Sequence, residues 1–255
     1  MTGSLRRAVV TGAGGRVGQA TAVELAKHGF EVAVHYNRSR DGALATVEAC
    51  RAAGGDAWVV QGALDELEGC QKLCEAVKER WDHLDVLVNN ASAFSPIRFE
   101  DITPEDWAFM EAINVRAPFL ISQGLLPLLR ARPSVTVGAE GSERGVVVHL
   151  CDIGADRPVS GYAHYSVSKA GLVMLVKAMA VELAPEIRTV GVSPGQVIWP
   201  EDYPADKRAR LASRIPMKRV GTPDDIAKLV RFVATEAPYL NGCVVPVDGG
   251  LSCRY

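Results

Sequence analysis

A chain of 255 residues, 48% hydrophobic and 23% charged, has the make-up of a globular protein able to bury one large core. A formal charge of -2, without clustered excess Lys and Arg, gives no footing for a nucleic-acid or anionic-membrane partner. The N-terminal MTGSLRRAVVTG holds no signal peptide or membrane span, and the six cysteines form no C-x-x-C pair or His-associated cluster, so reduced thiols, no metal site and a cytoplasmic location are expected.

The apolar pattern predicts a first strand at RRAVVT, residues 6 to 11, and then a helix over RVGQATAVELAKHG, 16 to 29. In that helix Val17, Ala20, Val23 and Leu25 form a one-sided stripe and Gly29 is a stop signal. Further strands are expected at EVAVHY (31 to 36), DAWVVQ (56 to 61), LDVLVNN (84 to 90), GVVVHL (145 to 150), RTVGVSP (188 to 194) and CVVPVD (243 to 248). Each is apolar almost throughout, as strands covered on both faces of a parallel sheet should be. Between them VEACRAAG, ELEGCQKLCEAVKERW, PEDWAFMEAINVRAPFLISQGLLPLLR and HYSVSKAGLVMLVKAMAVELA read as helices. Repeated βαβ units imply an α/β, Rossmann-like doubly wound fold in one domain, 1 to 255. Its seven-stranded parallel sheet carries helices on both faces and a ligand crevice at the strands' carboxyl ends. RPSVTVGAEGSERG (132 to 145) is expected to be a loop, and residues 196 to 221, with their prolines, an insertion fit for a substrate lid.

After the first strand TGAGGRVG, Thr11 to Gly18, opens the helix. Gly12 and Gly18 allow a tight turn, and the backbone of Arg16 and Val17 can approach a pyrophosphate at the helix N-terminus. At the end of the second strand HYNRSR, 35 to 40, has no acid before Asp41. An NAD site wants an acid there and an NADP site a cation, so Arg38, with His35, Asn37 and Ser39 beside it, reads as a 2′-phosphate site; the alternative is two surface arginines in a turn.

Tyr165 and Lys169 stand one turn apart on one helical face. A phenol titrates near 10 unaided, so Lys169 is expected to lower it for proton transfer. Asp152 lies thirteen residues before the tyrosine. An acid there can hold and protonate a nitrogen, which favours a C=N bond over a ketone.

T-G-x-x-x-R-x-G, N-N-A-S and Y-x-x-x-K resemble the short-chain dehydrogenase/reductase family. There the middle glycine of the first motif usually stands where Arg16 is, and a serine where Asp152 is. R-x-G, H-Y-x-R-S, N-N-A-S-x-F and D-x(12)-Y-x-x-x-K together resemble the pteridine reductases over nearly the whole chain, down to VDGGLS. The resemblance implies NADP(H) as cofactor, passing over Asn90, Ala91 and Ser92 and reaching Pro194 and Gly195, with Tyr165 and Lys169 at its nicotinamide end. Where many relatives read adenine with an Asp this chain has Ala63, which leaves the backbone of Ala63 and Leu64. Arg16, Ser92 and Phe94 would meet a pterin, Phe94 by stacking, together with Asp152 and Tyr165. Trp199 is either a lid over that pocket or core packing. Asn114 would support Lys169 through water, or else bend its helix before Pro118. The implied activity is NADPH-dependent reduction of a small-molecule pterin or folate by a homotetramer built through helices at 105 to 130 and 163 to 184. A 3-oxoacyl or other carbonyl reductase is the alternative, and a non-catalytic NADP sensor a further one.

Overall fold

The computed structural model describes residues 5 to 254 apart from 133–134, 138–140, 144 and 200–203. Alternation of apolar side chains within the strands decides the layering. In β1 (Arg6–Val10) Ala8 and Val10 face one core and Val9 the other. β2 (Phe30–Tyr36) divides Val32 and Val34 from Ala33, β4 (Val86–Asn89) divides Val86 and Val88 from Leu87, and β7 (Val146–Leu150) divides Val146 and Val148 from Val147. All are buried, as two covered faces require.

One face is closed by α1 (Arg16–Lys27), α2 (Arg40–Ala52) and α8 (Pro223–Thr235), through Leu25, Val47 and Val230 among others. The other is closed by α3 (Leu67–Arg80), α5 (Ala117–Ala131) and α6 (Ala163–Glu182), through Leu73, Ile121, Leu125 and Met179. Each such side chain contributes about 1.5–3 kcal/mol by leaving water.

With β3 (Asp56–Gln61), β8 (Arg188–Pro194) and β9 (Val244–Val247) the sheet has seven strands in the order β3-β2-β1-β4-β7-β8-β9, all paired parallel. The chain runs outward from β1 to β3 and then places β4 on the other side of β1. The order therefore reverses between β1 and β4, and the loops after them open a crevice at the carboxyl ends.

Three features depart from the sequence expectations. Within 132 to 145 lies a small antiparallel hairpin of β5 (Val135–Val137) and β6 (Gly141–Glu143), strands too short to show a period. The long helix is α4 (Pro104–Glu111), capped by a Thr103–Asp106 box, joined to α5 through a π turn at Ala112–Arg116. By length and composition this 28-residue run could cross a membrane, but half of its most apolar stretch is buried and α5 packs into the second core. The insertion after β8 holds α7 (Ala205–Arg214).

Candidate active site

The loops after β1 and β4 are stitched to each other. Thr11 Oγ1 accepts from the backbone N–H groups of Asn90 (2.9 Å) and Ala91 (3.0 Å), and Asn90 Nδ2 donates to the carbonyls of Thr11 (2.8 Å) and Gly12 (3.1 Å). Gly12 has φ +63°, and a Cβ there would stand 2.9 Å from Ala91 Cα. At Gly18 a Cβ would meet Gly12 O at 2.4 Å, so this turn closes only on glycine at both positions. Arg16 adopts φ 55°, a left-handed conformation that costs a non-glycine residue about 1–3 kcal/mol. That explains why glycine is usual at its position in the family it resembles. The N-terminus of α1 has no side-chain cap and no acid in its first turn, which leaves its amides for an anion.

A cavity of about 360 Å³ opens beside this turn, lined by Gly12, Arg16, Val17, Gly18, His35, Asn37, Leu64, Asn90, Ala91 and Ser92. His35 corrects an expectation. Gly12 N–H donates to its Nδ1 (3.0 Å), which leaves Nε2–H to donate to Gly62 O (3.0 Å). The ring is 1% exposed, and burial pushes its pKa down to about 4. His35 is thus a neutral bolt between β1 and β3 and lends no charge to a phosphate. Arg38 and Ser39 line neither this cavity nor the next. Ser39 Oγ donates weakly to Gly14 O (3.4 Å), and Arg38 is exposed past the end of β2, with no carboxylate partner among the described residues. Ala63 also lies off the lining, whereas Asp65 is on it, with a buried Oδ1 that lacks a hydrogen-bond donor. Sequence reading missed Asp65 because it sits two residues beyond the expected position; an acid just after β3 was the available signal.

The second cavity, about 1110 Å³, brings together Arg16, Asn90, Ser92, Phe94, Asp152, Tyr165, Lys169, Pro194, Gly195 and the half-buried Trp199. Tyr165 Oη donates to Asp152 Oδ2 at 2.8 Å, while Asp152 Oδ1 accepts from Gly154 N–H at 2.6 Å and caps the turn that follows β7. The carboxylate is therefore aimed from a strand end at a helix start. Burial, then the charge of Asp152, push the Tyr165 phenol well above its usual range. This reverses the expectation that Lys169 lowers it. Lys169 Nζ donates to Leu150 O (2.8 Å) and stands 5.8 Å from the Tyr165 ring centroid, and burial lowers its own pKa. In this arrangement the phenol is a held proton donor.

Asn114, fully buried in the π turn, makes its contacts away from Lys169. Its Oδ1 accepts from Ser92 Oγ (3.0 Å) and Ala93 N–H (2.9 Å), and its Nδ2 donates to Ala93 O (3.1 Å) and Ser168 Oγ (2.9 Å). Its direct work is to clamp the loop after β4 onto α6. The same loop is tied by Ile97 N–H donating to Gly161 O at 2.8 Å. On it Phe94, 60% exposed, stacks on Tyr162 (4.5 Å, 14°) and meets Tyr165 edge-on (4.8 Å, 81°). Tyr162 was not singled out from the sequence, though a second tyrosine three residues before Tyr165 was visible.

The family profile described as enoyl-(acyl carrier protein) reductase matches residues 12–252. An uncharacterized oxidoreductase of Methylorubrum extorquens is 35% identical over 251 residues, 96% of each chain. A 3-oxoacyl-(acyl-carrier-protein) reductase of Staphylococcus epidermidis is 31% identical over 96% of this chain and 98% of that one. Among solved structures, acetoin dehydrogenase from Enterobacter cloacae superposes with a TM-score of 0.87 at 29% identity, covering 100% of this chain and 98% of the other. A Burkholderia xenovorans chain provisionally assigned to the short-chain dehydrogenases/reductases gives 0.87 at 26%, covering 99% and 100%. The fold, the glycine turn closing on the loop after β4, and the Tyr165–Lys169 helix face agree with these matches: the chain belongs to the short-chain dehydrogenase/reductase family.

Proposed function

We propose that the protein is an NADPH-dependent reductase of a C=N bond in a flat nitrogen heterocycle of the pterin class, such as dihydrobiopterin or dihydrofolate. The observation that carries this reading is the 2.8 Å bond from Tyr165 to Asp152. A serine in place of Asp152 would suffice to hold a carbonyl oxygen, whereas a carboxyl group can hold and protonate a ring nitrogen. When bound, the reduced nicotinamide supplies a hydride to ring carbon. The Asp152–Tyr165 pair delivers the proton to the adjacent nitrogen, so that C=N becomes CH–NH. Lys169 holds the strand end through Leu150, and Phe94, backed by Tyr162, offers an aromatic face to the substrate ring.

The relatives favour a second reading. Two relatives are named for a 3-oxoacyl group on a carrier protein and the Enterobacter cloacae structure for acetoin, and on that ground alone a carbonyl reductase is the better supported assignment. Asp152 and the left-handed Arg16 weigh against it. Cofactor oxidation followed with dihydrobiopterin, dihydrofolate and a 3-oxoacyl thioester separates the two. Reduction of the thioester with no turnover of either pterin replaces the first reading by the second.

For the cofactor, the reading of NADPH rests on Arg38, at the end of β2, having no carboxylate partner among the described residues, and Asp65 is suited to accept from the adenine amino group. A charge-assisted phosphate contact of about 1.5–3 kcal/mol corresponds to roughly tenfold to a hundredfold or more in affinity. NADPH is thus expected to exceed NADH in kcat/KM by that factor, and Arg38→Ala to erase the difference selectively. Equal efficiency in the wild type removes the assignment.

Phe94→Ala is expected to raise KM for dihydropterin several-fold with kcat and NADPH affinity little changed, because stacking is as strong in the ground state as in the transition state. Loss of NADPH affinity in that variant would make Phe94 a scaffold residue instead. The exposed Phe109, Phe119, Met174 and Val181 on α4, α5 and α6 are the faces on which we propose a homotetramer assembles.

A further inference from the structure

We infer that Arg157, Arg214 and Arg254 form an anion subsite at the rim of the second cavity, and that the preferred substrate carries a carboxylate or phosphate tail. This rests on the reductase reading of the cavity but not on the ring chemistry. The three residues come from separate segments: the chain after the turn at Ile153–Ala155, the last residue of α7, and the chain after the turn at Leu251–Cys253. All three are exposed, line the second cavity and are absent from the lining of the first, where the nucleotide end lies.

A chain of hydrogen bonds joins them. Arg157 Nη1 donates to the Arg254 carbonyl, and Arg254 Nη1 donates to the Arg214 carbonyl at 2.8 Å. Each guanidinium has five N–H donors, so these bonds hold the Arg157 and Arg254 side chains against the neighbouring segments, Arg214 through its carbonyl, and leave most donors for a ligand. Among the described residues none of the three pairs with an Asp or Glu, although exposed arginines elsewhere in the chain do, as Arg51 with Glu48 and Arg219 with Asp225. The described lining of the cavity carries Arg16, Lys169 and these three as cations against Asp152 as the sole acid. Arg16 and Lys169 have roles at the cofactor end. Three like charges lining one cavity lower their repulsion by taking an anion, and the guanidinium fork matches carboxylate and phosphate oxygens.

The test pairs substrates that differ in tail charge. Dihydrofolate and the phosphate ester of dihydroneopterin are compared with neutral dihydrobiopterin, and acetoacetyl-coenzyme A with ethyl acetoacetate. Wild type is compared with the Arg157→Gln/Arg214→Gln/Arg254→Gln variant, with retained NADPH binding by fluorescence as the check on folding. Surface charge contacts are individually weak, so the ratio of anionic to neutral KM is expected to rise about tenfold in the triple variant. The wild-type preference for the anionic member should also shrink as salt is raised. If the triple variant does not bind NADPH, Arg157→Gln and Arg214→Gln alone are each expected to raise that ratio about two- to threefold. An unchanged ratio overturns the subsite. So does a ratio that rises only for a substrate borne on an acidic carrier protein, since the arginines would then dock a protein. If the ring series is inert while the thioester pair shows the expected ratio, the pterin reading falls and the subsite stands.

Discussion

Asp152→Ser is expected to lower turnover of dihydropterin by about 10² to 10⁴, the usual contribution of a positioned acid. The substitution restores the residue usual at this position in the family and removes only the carboxyl group. In the structure that group has two partners, the Tyr165 hydroxyl at 2.8 Å and the Gly154 amide at 2.6 Å, and a serine can retain a bond to either without offering an ionisable proton. NADPH binding measured by fluorescence should survive, since Asp152 is absent from the lining of the nucleotide cavity. The pH profile should change as well. Asp152 is one of the causes that hold the Tyr165 phenol above its usual range, so its removal lets the phenol titrate lower and takes away the limb that belongs to the coupled pair. A serine variant that reduces pterins at the wild-type rate would leave the C=N reading without a chemical basis.

Between pH 7 and pH 5 the folded protein is expected to lose roughly 4 kcal/mol of stability, read from denaturant unfolding at the two pH values. Two neutral imidazoles cause it. Burial pushes His35 down to about 4, and burial followed by the positive charge of Lys169 pushes the fully buried His149 down to about 3. In the unfolded chain both titrate near 6.5. The native state thus binds fewer protons below that value. The contribution is fully present above pH 6.5 and is lost as pH falls towards the folded values. At pH 5 each group is about 1.5 units below its unfolded pKa, at about 1.4 kcal/mol per unit roughly 2 kcal/mol apiece. That is a large part of a typical 5–15 kcal/mol. The depressed carboxylates Asp82 and Asp225, each pushed to about 2, act at lower pH and leave this window to the histidines. The double variant His35→Gln/His149→Asn should flatten the pH dependence; a wild type already flat from pH 7 to pH 5 would refute the account.

The sheet was legible because parallel strands covered on both faces leave uninterrupted apolar runs. DAWVVQ and RTVGVSP coincide with β3 and β8 residue for residue. Asp152 and Tyr165 were legible as a pair because one stands just past a strand end, the other in the first turn of a helix, and the thirteen-residue spacing suffices to return the chain. The π turn was hidden, since AINVR carries no glycine or internal proline to mark the change of hydrogen bonding. The work of Asn114 and His35 was hidden for a different reason. By position Asn114 was expected to support Lys169 through water and His35 to stand beside a 2′-phosphate, yet their polar atoms are taken up by Ser92, Ala93 and Ser168 in one case and by Gly12 and Gly62 in the other. No spacing rule could gather Arg157, Arg214 and Arg254, which come from the separate segments after β7, β8 and β9.

The bond from Ile97 N–H to Gly161 O joins the segment bearing Phe94 to the one bearing Tyr162, and Asn114 joins it again through Ser168. The two stacked rings therefore belong to one wall, built when the chain folds. Immobilising a side chain on binding costs about 0.5–1.5 kcal/mol, and here that ordering entropy has been incurred before any ligand arrives. An incoming planar molecule meets a surface already set at the right orientation. For the planar substrate proposed above this wall needs no reordering, and substitutions that loosen the Ile97–Gly161 tie are expected to slow its capture, read as a lower association rate by stopped-flow fluorescence.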